Sequence, residues 1–232
     1  MRHLSSHAAP DALAYERRLW MATPGLVLAG VDEAGRGPLA GPVAAGAVTM
    51  APELAEALHA GDFAGLTDSK QLSEADRERY FDALVATPGV RVAVGWASVA
   101  EIDSLNILRA THLAMARALA ALGDPAPGFA LVDGLPVRGL PCPHEAVVKG
   151  DAKCFLISAA SVAAKVSRDR RMVALDAAYP GYGFATHKGY GTAEHLDALR
   201  RLGPCPEHRR SFRPVADLLA PYRQGELFAD PP

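Results

Sequence analysis

The stretch Gly30 to Val43, GVDEAGRGPLAGPV, decides the reading of this chain. An apolar run, Leu26 to Val31, leads straight into two adjacent carboxylates, Asp32 and Glu33. Gly35, Arg36 and Gly37 follow, and a second apolar run extends from Pro42 to Met50. Two apolar runs around a glycine-rich turn read as two strands. Gly35-x-Gly37-x-x-x-Gly41 comes near a dinucleotide-binding loop, but two physical objections count against it. The segment after the turn is β-like, so no helix N-terminus faces a pyrophosphate. Asp32 and Glu33 would also repel phosphates unless a cation intervened.

Working outward, apolar runs read as strands at 26–32, 42–50, 91–99, 129–133 and 145–149. Helical periodicity fits 72–86, with Ser73 and Asp76 in the first turn, and also 101–122, 155–178, 193–202 and 214–220. The first three strands come before any long helix and are expected to be joined by short turns or one helix, and the rest alternate with helices. This predicts an α/β fold, a mixed sheet flanked by helices with a small C-terminal helical appendage. The expected division is an N-terminal extension at 1–24, a catalytic core at 25–180, the appendage at 181–220 and a tail at 221–232. Both end segments read as peripheral.

Asp133 ends the run FALVD, and Asp151 closes HEAVVKGD. With Asp32 and Glu33, three strand ends carry four acids. Like charges placed together are costly unless something neutralises them. No His or Cys stands beside them, and all-oxygen donors favour Mg²⁺ or Mn²⁺ over zinc. Two such ions about 4 Å apart suit phosphodiester hydrolysis. Neighbouring strand residues face opposite ways, however. Either the strand ends between Asp32 and Glu33, or Glu33 contributes differently.

The chain has 232 residues, 50% hydrophobic and 22% charged, which suits a packed globular domain. No apolar run approaches the ~20 residues needed to span a bilayer. The N-terminal residues lack the apolar core of a signal peptide, so a cytoplasmic location is expected. The three cysteines suggest neither a disulfide framework nor a zinc site. The net charge of −2 hides an asymmetry: Lys149 to Arg213 holds 12 basic and 6 acidic residues, while residues 1–132 hold 10 and 15. A basic face on a near-neutral chain suits a polyanion that must also be released.

These motifs resemble, nearly residue for residue, the signature of ribonuclease HII. The likeness continues in Leu66-Thr-Asp-Ser-Lys70, Glu101-Ile-Asp-Ser-Leu-Asn-Ile-Leu108, Leu131-Val-Asp-Gly134 and Val148-Lys-Gly-Asp151. It runs on through Ile157 to Lys165 and Gly183 to Gly191, and closes with His208-Arg-Arg-Ser-Phe212. The resemblance implies a ribonuclease H-like fold and an endoribonuclease acting on the RNA strand of RNA–DNA hybrids. It further implies cutting 5′ of single ribonucleotides in duplex DNA by two-metal catalysis, leaving 3′-hydroxyl and 5′-phosphate ends. The family's metal-binding acids fall on Asp32, Glu33, Asp133 and Asp151, with Mg²⁺ or Mn²⁺ as cofactor.

By the same resemblance, the backbone of Gly35-Arg36-Gly37 reads the 2′-hydroxyl, which separates RNA from DNA. Tyr190 packs against the deoxynucleotide after the ribose, so an RNA-to-DNA junction is sensed. Lys70 contacts phosphate, and Ser161, Lys165 and Arg168 hold the nucleic-acid backbone. Gln71 stands where many members carry a second lysine, which removes one charge contact. Asp169 is set aside as a helix partner of Arg170 or Arg171. The competing readings are a DNA-directed nuclease of the same superfamily and a hybrid-binding module without catalysis. The glycine–arginine–glycine turn with Tyr190 argues against the first, and the four acids argue against the second.

In the tail, Gln224-Gly-Glu-Leu-Phe228 resembles the pentapeptide by which bacterial repair proteins dock on the sliding clamp. Gln224, Leu227 and Phe228 would make the contact; the alternative is that Leu227 and Phe228 cover the domain's own core. A monomer is expected.

Overall fold

The computed structural model describes residues 11–220, so the clamp-like peptide at 224–228 lies outside the described residues. The chain runs α1 (Ala14–Ala22), β1 (Leu28–Ala34), β2 (Val43–Thr49), α2 (Pro52–Ala60) and α3 (Glu74–Ala86). It continues through β3 (Arg91–Ala97), α4 (Val99–Leu105), α5 (Ile107–Ala120), β4 (Phe129–Asp133) and β5 (His144–Val147). After a 3-10 turn at Gly150–Ala152 come α6 (Phe155–Ala178), α7 (Phe184–His187), α8 (Ala193–Leu202) and α9 (Arg213–Leu219). The sheet order is β3-β2-β1-β4-β5. Strands β1 to β3 pair antiparallel, whereas β4 pairs parallel to both β1 and β5. The architecture is the expected mixed sheet between helices.

Helix α6 lies on one face of the sheet and α5 on the other. Both come very close because the strands present glycine where they cross. A Cβ on Gly30 would sit 2.1 Å from the Leu156 carbonyl carbon, and one on Gly46 would sit 2.2 Å from the Ala160 oxygen. Leu28, Leu131, Phe155 and Val162 fill the α6 side; Val31, Val132, Met115 and Leu119 fill the α5 side. In the parallel pair, Val31 stands opposite Val132, so Asp32 and Asp133 follow side by side on adjacent strands.

Three sequence expectations need correction. The run 101–122 is not one helix but two, because Asn106 has φ 70° and breaks it. Its side chain then caps α5 by accepting from the Arg109 amide at 3.1 Å. Second, β2 and β3 are joined by two helices; α2, with Pro52 in its first turn, was not foreseen.

Third, residues 11–24 are not a peripheral extension. Leu13 and Trp20 of this segment are 0% and 8% exposed. Helix α6 has no capping side chain of its own, and the N-terminal segment supplies what is missing. The Phe155 amide donates to the Ala12 carbonyl at 2.8 Å. The Leu156 amide donates to the carboxylate of buried Glu16 at 2.9 Å. Burial raises the Glu16 pKa to about 7.

Among the described residues, no helix is long and apolar enough to cross a membrane.

Candidate active site

Asp32, Asp133 and Asp151 each place a carboxylate oxygen within 4.8 Å of the others. Asp32 comes from within β1 near its C-terminal end, Asp133 from the end of the neighbouring β4, and Asp151 from the turn that leads β5 into α6. The position of Asp133 is fixed by the Gly150 amide, which donates to its Oδ1 at 2.6 Å. Ser158 anchors the same turn from α6, donating to the Asp151 carbonyl at 2.7 Å. The Ser161 hydroxyl lies 2.8 Å from Ser69 Oγ and also reaches Asp32.

Strand β1 continues through Glu33 to Ala34, so the two adjacent acids do point to opposite faces. Asp32 faces α6, while Glu33 stands outside the tight trio and pairs with Arg36 at 3.4 Å. Glu33 and Asp133 also border a larger cavity, about 820 Å³, on the α5 side, with Arg36, Arg109, His112 and Arg138 in its wall.

The trio is electrostatically uncomfortable. Burial, then Glu33 and Asp133, pushes the Asp32 carboxyl well above the usual range. Glu33 is raised by burial, with Arg36 working against the shift. Burial, Asp133 and Asp68 lift Asp151 to about 6. Burial opposes the charge on Lys70, but Asp68, Asp32, Asp151 and Asp133 together raise its pKa. Asp68 is thus a further acid beside the site. It sits within the quoted Leu66–Lys70 motif, where Asp-Ser-Lys was a visible signal. Its carboxylate also accepts from the Lys70 amide at 2.9 Å.

Beside the acids opens a cleft of about 400 Å³. Its walls bring together Glu33, Gly35, Arg36, Gly37, Lys70, Ser161, Lys165, Arg168 and Tyr190, together with Ser69 and Arg77, which the sequence reading passed over. Arg77 donates to the Ser69 and Leu72 carbonyls at 2.9 and 2.6 Å, holding the Lys70 loop. The Tyr190 ring is 46% exposed. Lys165 pairs with Asp169 at 2.8 Å, so the helix partner of Asp169 is Lys165 and not Arg170 or Arg171. Arg170 instead reaches across to Glu78 and Asp82 of α3.

Arg168 is placed differently from a free phosphate-binding arginine. It is 1% exposed, and its guanidinium donates to the carbonyls of Pro42, Lys188 and Ala40. Arg209, 0% exposed, does the same for Gly41, Arg36 and Gly35 at 2.9, 2.9 and 2.6 Å. Burial lowers the two guanidinium pKa values to about 10 and about 9, with Arg168 adding repulsion at Arg209. Neither forms an ion pair among the described residues, so aligned carbonyl dipoles carry the compensation. The two arginines pin the turn after β1 from behind. Gly35 has φ 95°, and a Cβ there would collide with Arg168 Nε at 1.9 Å. A Cβ on Gly37 would meet only Tyr190 Cε1, at 3.6 Å.

The mixed sheet, with acids converging at its central strand ends beside a basic cleft, defines a ribonuclease H-like nuclease. Comparison with known proteins narrows the class. The ribonuclease HII family model matches residues 29–215. A ribonuclease HII from Rhodospirillum rubrum is 56% identical over 193 residues, covering 83% of this chain and 87% of its own. Ribonuclease H2 from Pyrococcus horikoshii OT3 superposes with a TM-score of 0.68 at 27% identity, over 83% of this chain and 97% of that one. The ribonuclease HII of Archaeoglobus fulgidus, solved in complex with PCNA, gives 0.65 at 26% identity, over 81% and 95%. The chain belongs to the ribonuclease HII family and is a ribonuclease.

Proposed function

We propose that the chain hydrolyses the RNA strand of RNA–DNA hybrids and cuts 5′ of single ribonucleotides embedded in duplex DNA, leaving 3′-hydroxyl and 5′-phosphate ends. The carrying observation is the trio of carboxylates within 4.8 Å, next to a cleft whose walls hold Glu33, the glycine–arginine–glycine turn and Tyr190. The donors are all oxygen, and the raised pKa values of Asp32 and Asp151 mark a site short of positive charge, which fits Mg²⁺ or Mn²⁺. Asp32, Asp133 and Asp151 would hold such ions, with Glu33 at the margin. A pair of divalent ions supplies water activation and charge stabilisation of the leaving oxygen.

The remaining work belongs to the chain. The Gly150 amide orients Asp133, and Ser161 steadies Asp32. Lys70 offers a phosphate its charge, and bare backbone at Gly35–Gly37 meets the 2′-hydroxyl. Tyr190 stacks on the neighbouring deoxynucleotide. Ser161 and Lys165 line the strand's path, while Arg168, its donors already engaged, acts by shaping the turn. The chain works as a cytoplasmic monomer, and its tail at Gln224, Leu227 and Phe228 meets the sliding clamp. The PCNA complex of the Archaeoglobus relative supports a clamp as partner.

The test is cleavage of a duplex with one embedded ribonucleotide against the same duplex in DNA alone, with Mg²⁺ or Mn²⁺. Cutting only the first, on the ribose 5′ side, is expected. Equal cutting of both would favour a DNA-directed nuclease and overturn the reading.

A further inference from the structure

Three histidines of the C-terminal appendage are buried, and the catalytic reading leaves them unused. His187, His195 and His208 are 8%, 0% and 1% exposed. His187 and His195 stack with ring centroids 4.4 Å apart. His195 Nε2 lies 3.1 Å from His208 Nε2, and its Nδ1 lies 2.9 Å from the Tyr190 carbonyl oxygen.

The partners fix where the protons sit. A carbonyl only accepts, so His195 Nδ1 carries a hydrogen and donates to Tyr190. The Cys205 amide only donates, at 3.0 Å, so His208 Nδ1 is an acceptor. A neutral His208 then carries its hydrogen on Nε2 and donates to His195 Nε2. The Gly189 amide donates to His187 Nδ1 at 3.2 Å, leaving His187 Nε2 to donate to the Tyr182 carbonyl at 2.8 Å. One tautomer assignment satisfies each of these contacts, and the Cys205 thiol, 3.1 Å from His208 Nδ1, is compatible with it as a further donor. Burial lowers the pKa of His195, and burial with His195 beside it lowers His208 to about 4, so both are neutral at pH 7.

The relay ends on the backbone of the residue that projects into the cleft. Tyr190 is held at its amide by the His187 carbonyl at 2.9 Å, and at its carbonyl by the Thr192 amide at 2.8 Å together with His195, the one side chain among the described residues that reaches it. The preceding residue is tied to the turn after β1, with the Leu39 amide donating to the Gly189 carbonyl at 2.8 Å. His208 is bound to the same turn, since it bridges Ala40 and precedes Arg209. The reading turn and the tyrosine are therefore registered against each other.

We infer that His195, backed by His208, is a positioning residue that fixes the Tyr190 ring against the glycine–arginine–glycine turn and so sets preference for an RNA-to-DNA junction. This rests on the proposed junction contact of Tyr190.

The reading is the ratio of kcat/KM on a single embedded ribonucleotide to kcat/KM on a continuous RNA–DNA hybrid. His195→Phe keeps a ring for the stack but removes the donor to Tyr190. His195→Asn loses the ring but keeps a donor on the same carbon as Nδ1. The ratio should fall about tenfold in His195→Phe and stay within about twofold of wild type in His195→Asn. The opposite order, or a ratio unchanged in His195→Phe, would show mere packing and overturn the inference. Tyr190→Ala sets the floor: an unchanged ratio there removes the junction reading itself, a distinguishable failure. Should His195→Phe not fold, nitrogen NMR of the wild-type chain decides. His195 protonated on Nδ1 and His208 on Nε2 support the relay, and the reverse tautomers end it.

Discussion

Asp32 and Arg209 are 4% and 0% exposed, are residues of opposite charge, and flank the same stretch of chain, since Arg209 grips the turn that follows Asp32. Their surroundings differ completely. Each hydrogen-bonding edge of Arg209 meets a carbonyl, and the nearby histidines satisfy one another. Asp32 meets more carboxylate, which raises its pKa on top of burial. The scaffold is complete in protein alone, whereas the acid trio is left wanting a cation. On the proposed function, rigidity is built where the substrate would be read, and electrostatic strain is kept where the chemistry would occur.

The largest way to break this contrast is Asp32→Asn. Turnover should fall by about three orders of magnitude, the scale expected when metal-assisted hydrolysis is lost. Hybrid binding should survive or tighten. Without divalent ions the variant should be more stable than wild type, by about 1–2 kcal/mol, because a buried repulsion is gone. Single-turnover kinetics and melting curves in chelator measure both. Substantial residual cleavage would sink the metal assignment, and a destabilised variant would sink the strain.

Arg209→Leu attacks the satisfied cluster. It strips donors from the Gly35, Arg36 and Gly41 carbonyls, and a stability loss of about 3 kcal/mol is expected by chemical denaturation. A loss below about 1 kcal/mol would mean that water replaces the guanidinium.

Gly37→Ala comes next. Its methyl meets only ordinary contact at 3.6 Å, so melting should not change. Affinity for a ribonucleotide-containing duplex should fall about tenfold, with all-DNA duplex nearly unaffected, because one sugar contact is obstructed. Equal weakening on both duplexes would count against reading by this turn.

The smallest effect is pH dependence at limiting cation. Asp151 has a pKa raised to about 6, so protons compete with cation below that value. Between pH 7.5 and 6 the apparent cation affinity should drop about twofold, and further below pH 6. Excess cation should move the profile to lower pH. A profile insensitive to cation concentration would dissociate the titration from binding.

How much of this was legible beforehand follows from the kinds of signal involved. Strand ends and acids are local features, so the five strands and the convergence of Asp32, Asp133 and Asp151 followed from apolar runs ending in carboxylates. Helix α6 at 155–178 was equally plain from its periodicity. Asn106 escaped notice because hydrophobic periodicity continues across it, although asparagine tolerates positive φ and caps well. Arg168 and Arg209 could not be read as struts. A buried arginine whose partners are carbonyls leaves no mark in sequence, and its charge suggests a surface. Glu16 was hidden for the same reason, since its partner amide lies 140 residues away along the chain.

That distant contact separates two boundaries that are easily equated. The family model begins its match at residue 29, but Ala12 and Glu16 occupy the open amide end of the helix that follows Asp151. Trimming the chain to the part that the family model matches would bare those amides and uncover the apolar surface under Trp20. The turn that carries Asp151 would then hang from a fraying end. The smallest piece that folds as one cooperative unit is therefore larger than the smallest piece that is recognisably related.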